Sequence, residues 1–327
     1  MIEILGLIVY FRPAWGGDMA LIFCSRTDDP KEWSAEFAEV MPELDFRIWP
    51  DIGRPEEIEF ALVWDPMANR LLDFPNLRLI ASLGAGVDHL LAATTLPDGV
   101  PMTRFVDDNL TQGMREWVLL YSLYCLRRVP EYLARQREQD WHRLDVPFAY
   151  QRRVGMMGLG ILGEASASAL RHIGFPVIGW SRSEKDLPEI ECFTGPGELD
   201  DFLALSDILV CLLPLTPETE GIIDSELLTK LPRGACLING ARGGLVVEAD
   251  LIQALESGHL SHAVLDVTRK EPLPADDPLW QARNITITPH VASVTNAKSG
   301  ARLIAQNIRR IQAGETLHHL VDPKAGY

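Results

Sequence analysis

Three polar side chains in the second half of the chain could together carry out acid–base chemistry on an anion. Arg242, Glu271 and His290 each come a few residues after a short apolar run. A guanidinium offers a carboxylate a planar fork of N–H donors, and an imidazole transfers protons near neutral pH. The reduction of a 2-keto acid needs such a cation, a proton donor and a source of hydride. Singly each residue is ambiguous, because Arg242 could be a surface charge, Glu271 a loop residue and His290 a structural histidine. Together with a bound hydride donor they are predicted to be a catalytic set.

An open parallel sheet would bring the three side chains together. The apolar runs of this half are hydrophobic on both faces, which is typical of parallel strands covered by helices on each side. In such sheets ligands bind beyond the carboxyl ends of the strands, where the three residues lie. The predicted strands are 154–157, 177–180, 208–212, 235–239, 263–265 and 285–288.

The first part of the chain indicates a second, smaller α/β unit, because short apolar runs alternate there with a helical pattern. Between the two units, the periodicity over 112–139 predicts a long helix that bends at Pro130. A last helix over 295–313 ends at Gly314. The fold class is therefore α/β with two parallel sheets. The predicted elements of the first unit are strands 20–24, 45–48, 61–64 and 79–83 and a helix over 31–40.

A glycine-rich turn follows the strand 154–157 and opens a helix over 161–173. Its pattern is Gly-x-Gly-x-x-Gly, which permits a tight turn, close approach of a pyrophosphate, and close packing of helix on strand. Unpaired amides at the helix N-terminus then face the anion. A turn that only packs is the alternative, but the flanking strand and helix favour dinucleotide binding. The predicted contacts are Gly158, Gly160, Ile161, Leu162 and Gly163.

The next strand ends in Ser181, Arg182 and Ser183, where an NAD-binding protein would carry an acidic residue for the ribose. A guanidinium between two hydroxyls suits a 2′-phosphate instead. A solvated surface arginine is the alternative, and Glu184 and Asp186 nearby weaken the assignment. We expect NADPH to be preferred, with NADH as a possible second cofactor.

Composition excludes several classes of function. A net charge of −16 argues against general binding to nucleic acid or to an acidic membrane surface. Five scattered cysteines without CxxC spacing indicate neither a disulfide framework nor a zinc site, so no metal is expected and a reducing cytoplasm fits best. Residues 1–18 contain an apolar run without a preceding basic residue, too short for a membrane span. We expect the functional chain to begin at Met19, after an upstream extension.

From Met19 onward the sequence resembles the D-isomer-specific 2-hydroxyacid dehydrogenases. The glycine turn is followed in order by Asn-Gly-Ala-Arg-Gly at 239–243, Leu-Asp-Val at 265–267, Glu-Pro-Leu at 271–273 and Thr-Pro-His-Val at 288–291. The segments 63–66, 82–88, 213–219 and 321–322 are similar to the glyoxylate/hydroxypyruvate reductase A branch. The resemblance implies reduction of glyoxylate to glycolate and of hydroxypyruvate to D-glycerate.

The resemblance also assigns roles to residues. His290 would be the general acid in reduction, with Glu271 bonded to its other ring nitrogen; Arg242 would bind the substrate carboxylate and carbonyl oxygen; and Asp266 would hold the nicotinamide carboxamide. A Gly-Ala-Gly turn can also point successive amides at an anion, although it can equally be a turn that needs glycine for its conformation. Further substrate contacts would come from the backbone of Leu83, Gly84 and Ala85 and from the side chains of Trp64 and Met114, although a Trp after a strand is more often a core residue. Further cofactor contacts would come from Leu213, Pro214, Thr219, Ala241, Arg242, His290 and Ser293.

By the same resemblance the chain has two Rossmann-like domains with the active site in the cleft between them. A flavodoxin-like substrate-binding domain is split over 19–112 and 294–327, around an NAD(P)-binding domain at 113–293. Homodimers are usual in the family.

Two other functions compete with this prediction. An NAD-dependent D-3-phosphoglycerate dehydrogenase would share fold and catalytic order, but Arg182 and the lack of a strand-end acid oppose it. An NAD(P)-sensing co-repressor could retain the catalytic residues, but the acidic charge and the branch-specific segments oppose that function.

Overall fold

Five parallel strands form the first sheet. The computed structural model describes residues 19–64, 66–92, 96–323 and 326, so the proposed extension 1–18 lies outside the described residues. The strands are β1 (Ala20–Ser25), β2 (Asp45–Ile48), β3 (Ile58–Trp64), β4 (Leu79–Ser82) and β5 (Met102–Thr103), in the order β2-β1-β3-β4-β5. Helices α1 (Pro30–Val40) and α2 (Asp88–Leu91) belong to this part.

Seven parallel strands form the second sheet, and its central strands are buried along their whole length. They are β6 (Val154–Met157), β7 (Val177–Ser181), β8 (Glu191–Thr194), β9 (Ile208–Cys211), β10 (Ala235–Asn239), β11 (Leu260–Leu265) and β12 (Ile285–Ile287), in the order β12-β11-β10-β9-β6-β7-β8. The chain leaves β6 to one side for β7 and returns to its other side for β9. Such a reversal creates a crevice at the carboxyl end of β6.

Helices complete the second unit: α3 (Asp108–Leu126), α4 (Val129–Arg137), α5 (Ile161–His172), α6 (Leu199–Ala204), α7 (Ser225–Lys230) and α8 (Glu248–Glu256). The final helix, α9 (Ala297–Ala313), packs instead on α1 of the first unit. Gly300 permits this contact, because a Cβ there would lie 2.3 Å from the Trp33 ring. The α/β class and the two parallel sheets predicted from the sequence are confirmed.

The predicted long bent helix is wrong in one respect, since the chain forms two separate helices. Arg128 adopts a left-handed conformation with φ 55° between α3 and α4. Pro130 lies in the first turn of α4, where its missing N–H is not needed for an intrahelical bond. The proline therefore starts a helix and does not bend one.

Short elements were not predicted. Strands β5 and β8 lie at sheet edges, and α6 and α7 have six residues each, too few for a clear helical period. Within the described ranges, every helix is too short or too polar to cross a membrane.

Candidate active site

His290 and Glu271 form the hydrogen bond that the sequence predicts. Glu271 Oε2 lies 2.7 Å from Nδ1 of His290, and Glu271 Oε1 accepts a bond of 3.0 Å from the backbone N–H of Thr268. Both carboxylate oxygens are therefore held. The remaining ring nitrogen of His290, Nε2, is the one that can meet a substrate oxygen.

The ionisation of Glu271 follows from its surroundings. Partial burial raises the pKa of this carboxyl group, but the hydrogen bond and charge of His290, the Thr268 N–H and the charge of Arg242 outweigh burial. The pKa of Glu271 is therefore lowered from its ordinary value. A negative charge therefore stays next to the imidazole throughout the neutral range.

Asp266 fixes the backbone that carries His290. Its carboxylate is 2% exposed and accepts bonds of 2.6 Å from the Thr288 hydroxyl, 2.9 Å from Val291 N–H and 2.8 Å from Ala292 N–H. The His290 N–H in turn donates to the Asp266 carbonyl at 2.8 Å, and His290 has a left-handed φ of 54°. The predicted bond from a nicotinamide carboxamide to Asp266 would have to use a remaining lone pair of the Asp266 carboxylate.

Arg242 lies just beyond β10 in a defined setting. Nε donates to Asp88 Oδ1 at 2.8 Å and Nη1 donates to the Ala241 carbonyl at 2.8 Å. Asn239, fully buried, shapes the turn: its side chain donates to the Arg242 carbonyl and accepts from the Ala241 N–H. Ala241, a predicted cofactor contact, is therefore held in this turn.

Trp64 joins the first sheet to these groups. It is the last residue of β3, and its ring centroid lies 6.0 Å from that of His290 and 5.5 Å from Cζ of Arg242. Trp64 thus meets both predicted catalytic groups, as expected for a residue that lines the pocket. Met114, in contrast, is a residue of α3 that is buried in the core of the second unit. Its proposed contact with substrate stays a prediction.

The predicted anion-binding turn follows β4. A Cβ on Gly84 would lie 2.7 Å from the Trp64 ring, so this position requires glycine. The Ser82 hydroxyl donates to the Gly86 carbonyl and accepts from the Gly84 N–H at 3.2 Å. Leu83 is buried, and its N–H is bonded to the Val63 carbonyl, whereas Ala85 is half-buried. The amides of Leu83 and Gly84 therefore already have acceptors within the protein, and the predicted amide contacts of this turn with substrate stay predictions.

The glycine turn has the shape expected of a pyrophosphate site. Gly158 has φ 112°, and a Cβ on Gly163 would lie 2.0 Å from the Gly158 carbonyl oxygen. A Cβ on Gly160 would meet nothing within 4 Å, so there is open space directly before the N-terminus of α5. Ile161 is exposed and Leu162 half-buried beside it. The residues present therefore fit a dinucleotide.

At the end of β7, Arg182 and Ser183 are exposed, and the buried Ser181 hydroxyl donates to the Ser183 carbonyl at 2.6 Å. Glu218 lies close enough to be affected by the charge of Arg182. The pKa of Glu218 is lowered by a hydrogen bond from Thr216, by a backbone N–H and by that charge.

The other predicted cofactor residues hold loops around this edge of the sheet. The Thr219 hydroxyl donates to the Pro214 carbonyl at 2.7 Å and accepts from the Thr216 N–H at 2.8 Å, which closes the loop after the buried Leu213. Ser293 donates to the carbonyl of Leu110 at the start of α3. Their contacts with cofactor stay predictions.

Two residues of the site were missed from the sequence. Asp88 and Asn239 both lie inside motifs that the resemblance used, but only the structure shows that Asp88 pairs with Arg242 and that Asn239 shapes the turn before it. The signal in the sequence for Asn239 was a hydrophilic residue at the end of an apolar strand.

Comparison with known proteins agrees with this geometry. Residues 119–292 match the family model "D-isomer specific 2-hydroxyacid dehydrogenase, NAD binding domain". The chain is 40% identical over 315 residues to glyoxylate/hydroxypyruvate reductase A of Serratia proteamaculans, which covers 94% of this chain and all of that protein.

Solved structures give the same result. A D-isomer specific 2-hydroxyacid dehydrogenase from Xanthobacter autotrophicus Py2, in complex with NADPH and MES, has a TM-score of 0.90 and 46% identity, over 95% of this chain and 100% of that one. An NADPH-dependent glyoxylate/hydroxypyruvate reductase from Sinorhizobium meliloti, in complex with NADP and sulfate, has a TM-score of 0.88 and 38% identity, over 94% and 100%. The resemblance seen in the sequence is confirmed: the chain belongs to the D-isomer specific 2-hydroxyacid dehydrogenases, a family of oxidoreductases.

Proposed function

We propose that this protein reduces small 2-keto acids with NADPH, glyoxylate to glycolate and hydroxypyruvate to D-glycerate. The observation that carries the proposal is the meeting of Arg242 and the His290–Glu271 pair at the Trp64 ring. The cation predicted to bind the carboxylate and the predicted proton donor therefore both lie near the same aromatic ring. A 2-keto acid presents the matching carboxylate and carbonyl oxygen.

The residues act in a defined order. Arg242 binds the carboxylate and polarises the carbonyl as negative charge develops on its oxygen. NADPH, when bound, supplies the hydride that reaches the carbonyl carbon, and the π electrons of the C=O bond move to the oxygen. Protonated His290 gives its Nε2 proton to that oxygen, which completes a 2-hydroxy acid and leaves NADP⁺. Glu271 stabilises the imidazolium before transfer and keeps the ring in one orientation.

The glycine turn and Arg182 support the choice of NADPH. Open space before α5 admits a pyrophosphate, and an exposed guanidinium lies at the end of the next strand with no acid at 181–183. The two relatives solved with NADPH or NADP are consistent with this cofactor. An NAD-dependent D-3-phosphoglycerate dehydrogenase would require the opposite preference.

The test is a panel of steady-state rates with glyoxylate, hydroxypyruvate, pyruvate and two larger 2-keto acids, each with NADPH and NADH. We expect rapid NADPH oxidation with glyoxylate and hydroxypyruvate. His290→Asn tolerates the left-handed backbone but cannot donate the proton, so it should lower kcat by about 10²–10⁴-fold with NADPH binding nearly intact. His318→Ala, an exposed histidine, serves as the control. Failure of all five substrates would overturn the proposal and leave a co-repressor-like role.

We further propose the division into 19–112 with 294–327 and 113–293. Packing of α9 on α1 supports it. The Ser293 hydroxyl also bonds the Leu110 carbonyl, so the two proposed crossings of the chain lie side by side.

A homodimer is the assembly that we propose, in the cytoplasm. Large apolar side chains are exposed along α3, α4 and the segment that follows, and they would be covered by a second copy; they are Leu120, Leu123, Leu133, Trp141, Phe148 and Tyr150. The free thiols of all five cysteines are consistent with a reducing compartment. Sedimentation of the wild type and of Trp141→Asp tests the assembly: the variant should sediment as a monomer.

A further inference from the structure

Asp88, in α2 of the first α/β unit, contacts the guanidinium of Arg242, which is predicted to bind substrate and lies in the second unit. It is the first residue of α2, and its Oδ1 lies 2.8 Å from Nε of Arg242, 154 positions away in the sequence. We propose that Asp88 is a positioning residue, which turns the Arg242 guanidinium so that its Nη atoms face the substrate carboxylate. The inference rests on the proposed function.

The guanidinium has few ways to move once Asp88 is bound. Nε is held by Asp88, Nη1 by the Ala241 carbonyl, and the group lies over the Trp64 ring with Cζ 5.5 Å from its centroid. An arginine side chain has five N–H donors. Two are used by these bonds, so both hydrogens of Nη2 and one of Nη1 remain for an anion.

The free edge of the guanidinium points toward the loop after β4. A Cβ on Gly86 would lie 1.8 Å from Nη2 of Arg242, so Nη2 occupies the space that any other residue would fill. This loop is the one predicted to present backbone amides to the substrate carboxylate. Asp88 therefore directs the donor atoms of Arg242 to the place where the backbone donors are expected.

Partial burial makes this contact specific. The side chains of Arg242 and Asp88 are 19% and 24% exposed. A pair shielded from solvent to this degree is less screened than a surface pair. The bond also joins the first α/β unit, through α2, to the loop after β10 in the second unit.

The competing idea is that Asp88 blocks Arg242 and that an incoming carboxylate displaces it. Asp88 occupies only Nε, however, and the bond to the Ala241 carbonyl uses one hydrogen of Nη1, so both hydrogens of Nη2 are left for a carboxylate. Blocking predicts that loss of Asp88 improves substrate binding. Positioning predicts that it weakens binding.

The experiment compares Asp88→Ala and Asp88→Asn with the wild type. The asparagine variant keeps an oxygen that accepts from Nε, whereas the alanine variant keeps none. We expect Asp88→Ala to raise the KM for glyoxylate by about tenfold or more and to lower kcat, because a small displacement of a binding group is costly. Asp88→Asn should stay within about threefold of the wild type, and the KM for NADPH should change by less than about twofold in both.

Controls separate positioning from folding. Asp51→Ala removes an exposed carboxylate of the same sheet region and should leave all constants unchanged. If Asp88→Ala does not fold, Asp88→Leu replaces it, because leucine has nearly the shape of asparagine but no acceptor. The KM for glyoxylate of the leucine variant should then rise by about tenfold or more. Equal losses in the asparagine and leucine variants, a lower KM for glyoxylate, or an equal rise in the KM for NADPH would overturn the inference. A wild type inactive on every 2-keto acid would instead overturn the proposed function.

Discussion

The carboxylate of Glu271 lies 2.7 Å from Nδ1 of His290, and the backbone N–H of Thr268 holds its other oxygen. This arrangement leaves Nε2 as the ring nitrogen that would carry the proton toward substrate under the proposed function. It also places a permanent negative charge beside that ring, because the pKa of Glu271 is lowered by the hydrogen bond and charge of His290 despite the opposing effect of burial.

Glu271→Gln should therefore separate orientation from charge. The amide still accepts a hydrogen bond from His290 but no longer stabilises the imidazolium, so we expect kcat for reduction to fall by about tenfold or more. Steady-state rates of glyoxylate reduction at saturating NADPH measure this loss. A kcat equal to that of the wild type would contradict the role of the Glu271 charge.

Gly160→Ala should weaken cofactor binding without loss of stability. A Cβ there meets no protein atom within 4 Å, so only a bound pyrophosphate would clash with it. We expect a KM for NADPH raised by about tenfold and an unchanged melting temperature. Gly197→Ala, where a Cβ also meets nothing, is the matched control and should change neither quantity. Gly163→Ala should unfold at lower temperature, because its Cβ would lie 2.0 Å from a backbone oxygen.

Arg182→Asp should change cofactor choice. The exposed guanidinium at the end of β7 is the predicted contact of a 2′-phosphate, and a carboxylate in its place would repel phosphate and accept hydrogen bonds from the ribose hydroxyls. We expect the apparent KM for NADPH to rise far more than that for NADH. Equal changes for the two cofactors would be incompatible with a phosphate site at Arg182.

His262 should make the protein less stable in acid. This residue of β11 is buried, with Nε2 2.9 Å from the Thr286 hydroxyl, and burial lowers its pKa to about 4. Between that pH and about 6.5 the unfolded chain binds a proton that the folded protein excludes, so stability falls as pH falls through this window. From about pH 7 to pH 5 the loss should be about 2 kcal/mol.

Chemical denaturation of the wild type and of His262→Gln at both pH values measures this loss. Other groups contribute to both proteins alike, so the difference isolates His262. The variant should lose about 2 kcal/mol less than the wild type on acidification. Parallel losses would show that His262 is not the titrating group.

The parts of the fold that were predictable have strong local signals. Buried parallel strands give continuous apolar runs, so β6 and β10 were bounded correctly, and the glycine turn after β6 was identified by its Gly-x-Gly-x-x-Gly spacing. The His290–Glu271 contact was predicted through family resemblance, because no local pattern links residues nineteen positions apart.

The parts that were missed depend on distant contacts or on backbone conformation. Nothing near Asp88 indicates a bond to Arg242, since Asp88 belongs to α2 of the first α/β unit and Arg242 follows β10 of the second. The left-handed conformations of Arg128 and His290 are likewise set by what surrounds them, because neither residue type requires a positive φ. The left-handed conformation of Arg128 separates α3 from α4, where the sequence predicted a single bent helix.

The three bonds that Asp266 accepts from the segment 288–292 have a consequence for the timing of entropy loss. A proton donor on a free loop would lose its backbone freedom when substrate binds, at about 1–2 kcal/mol for each residue ordered. Here that freedom is lost during folding, so the turn is already ordered before a ligand binds. Under the proposed function, binding free energy that would otherwise order the loop remains available to lower the barrier for proton and hydride transfer.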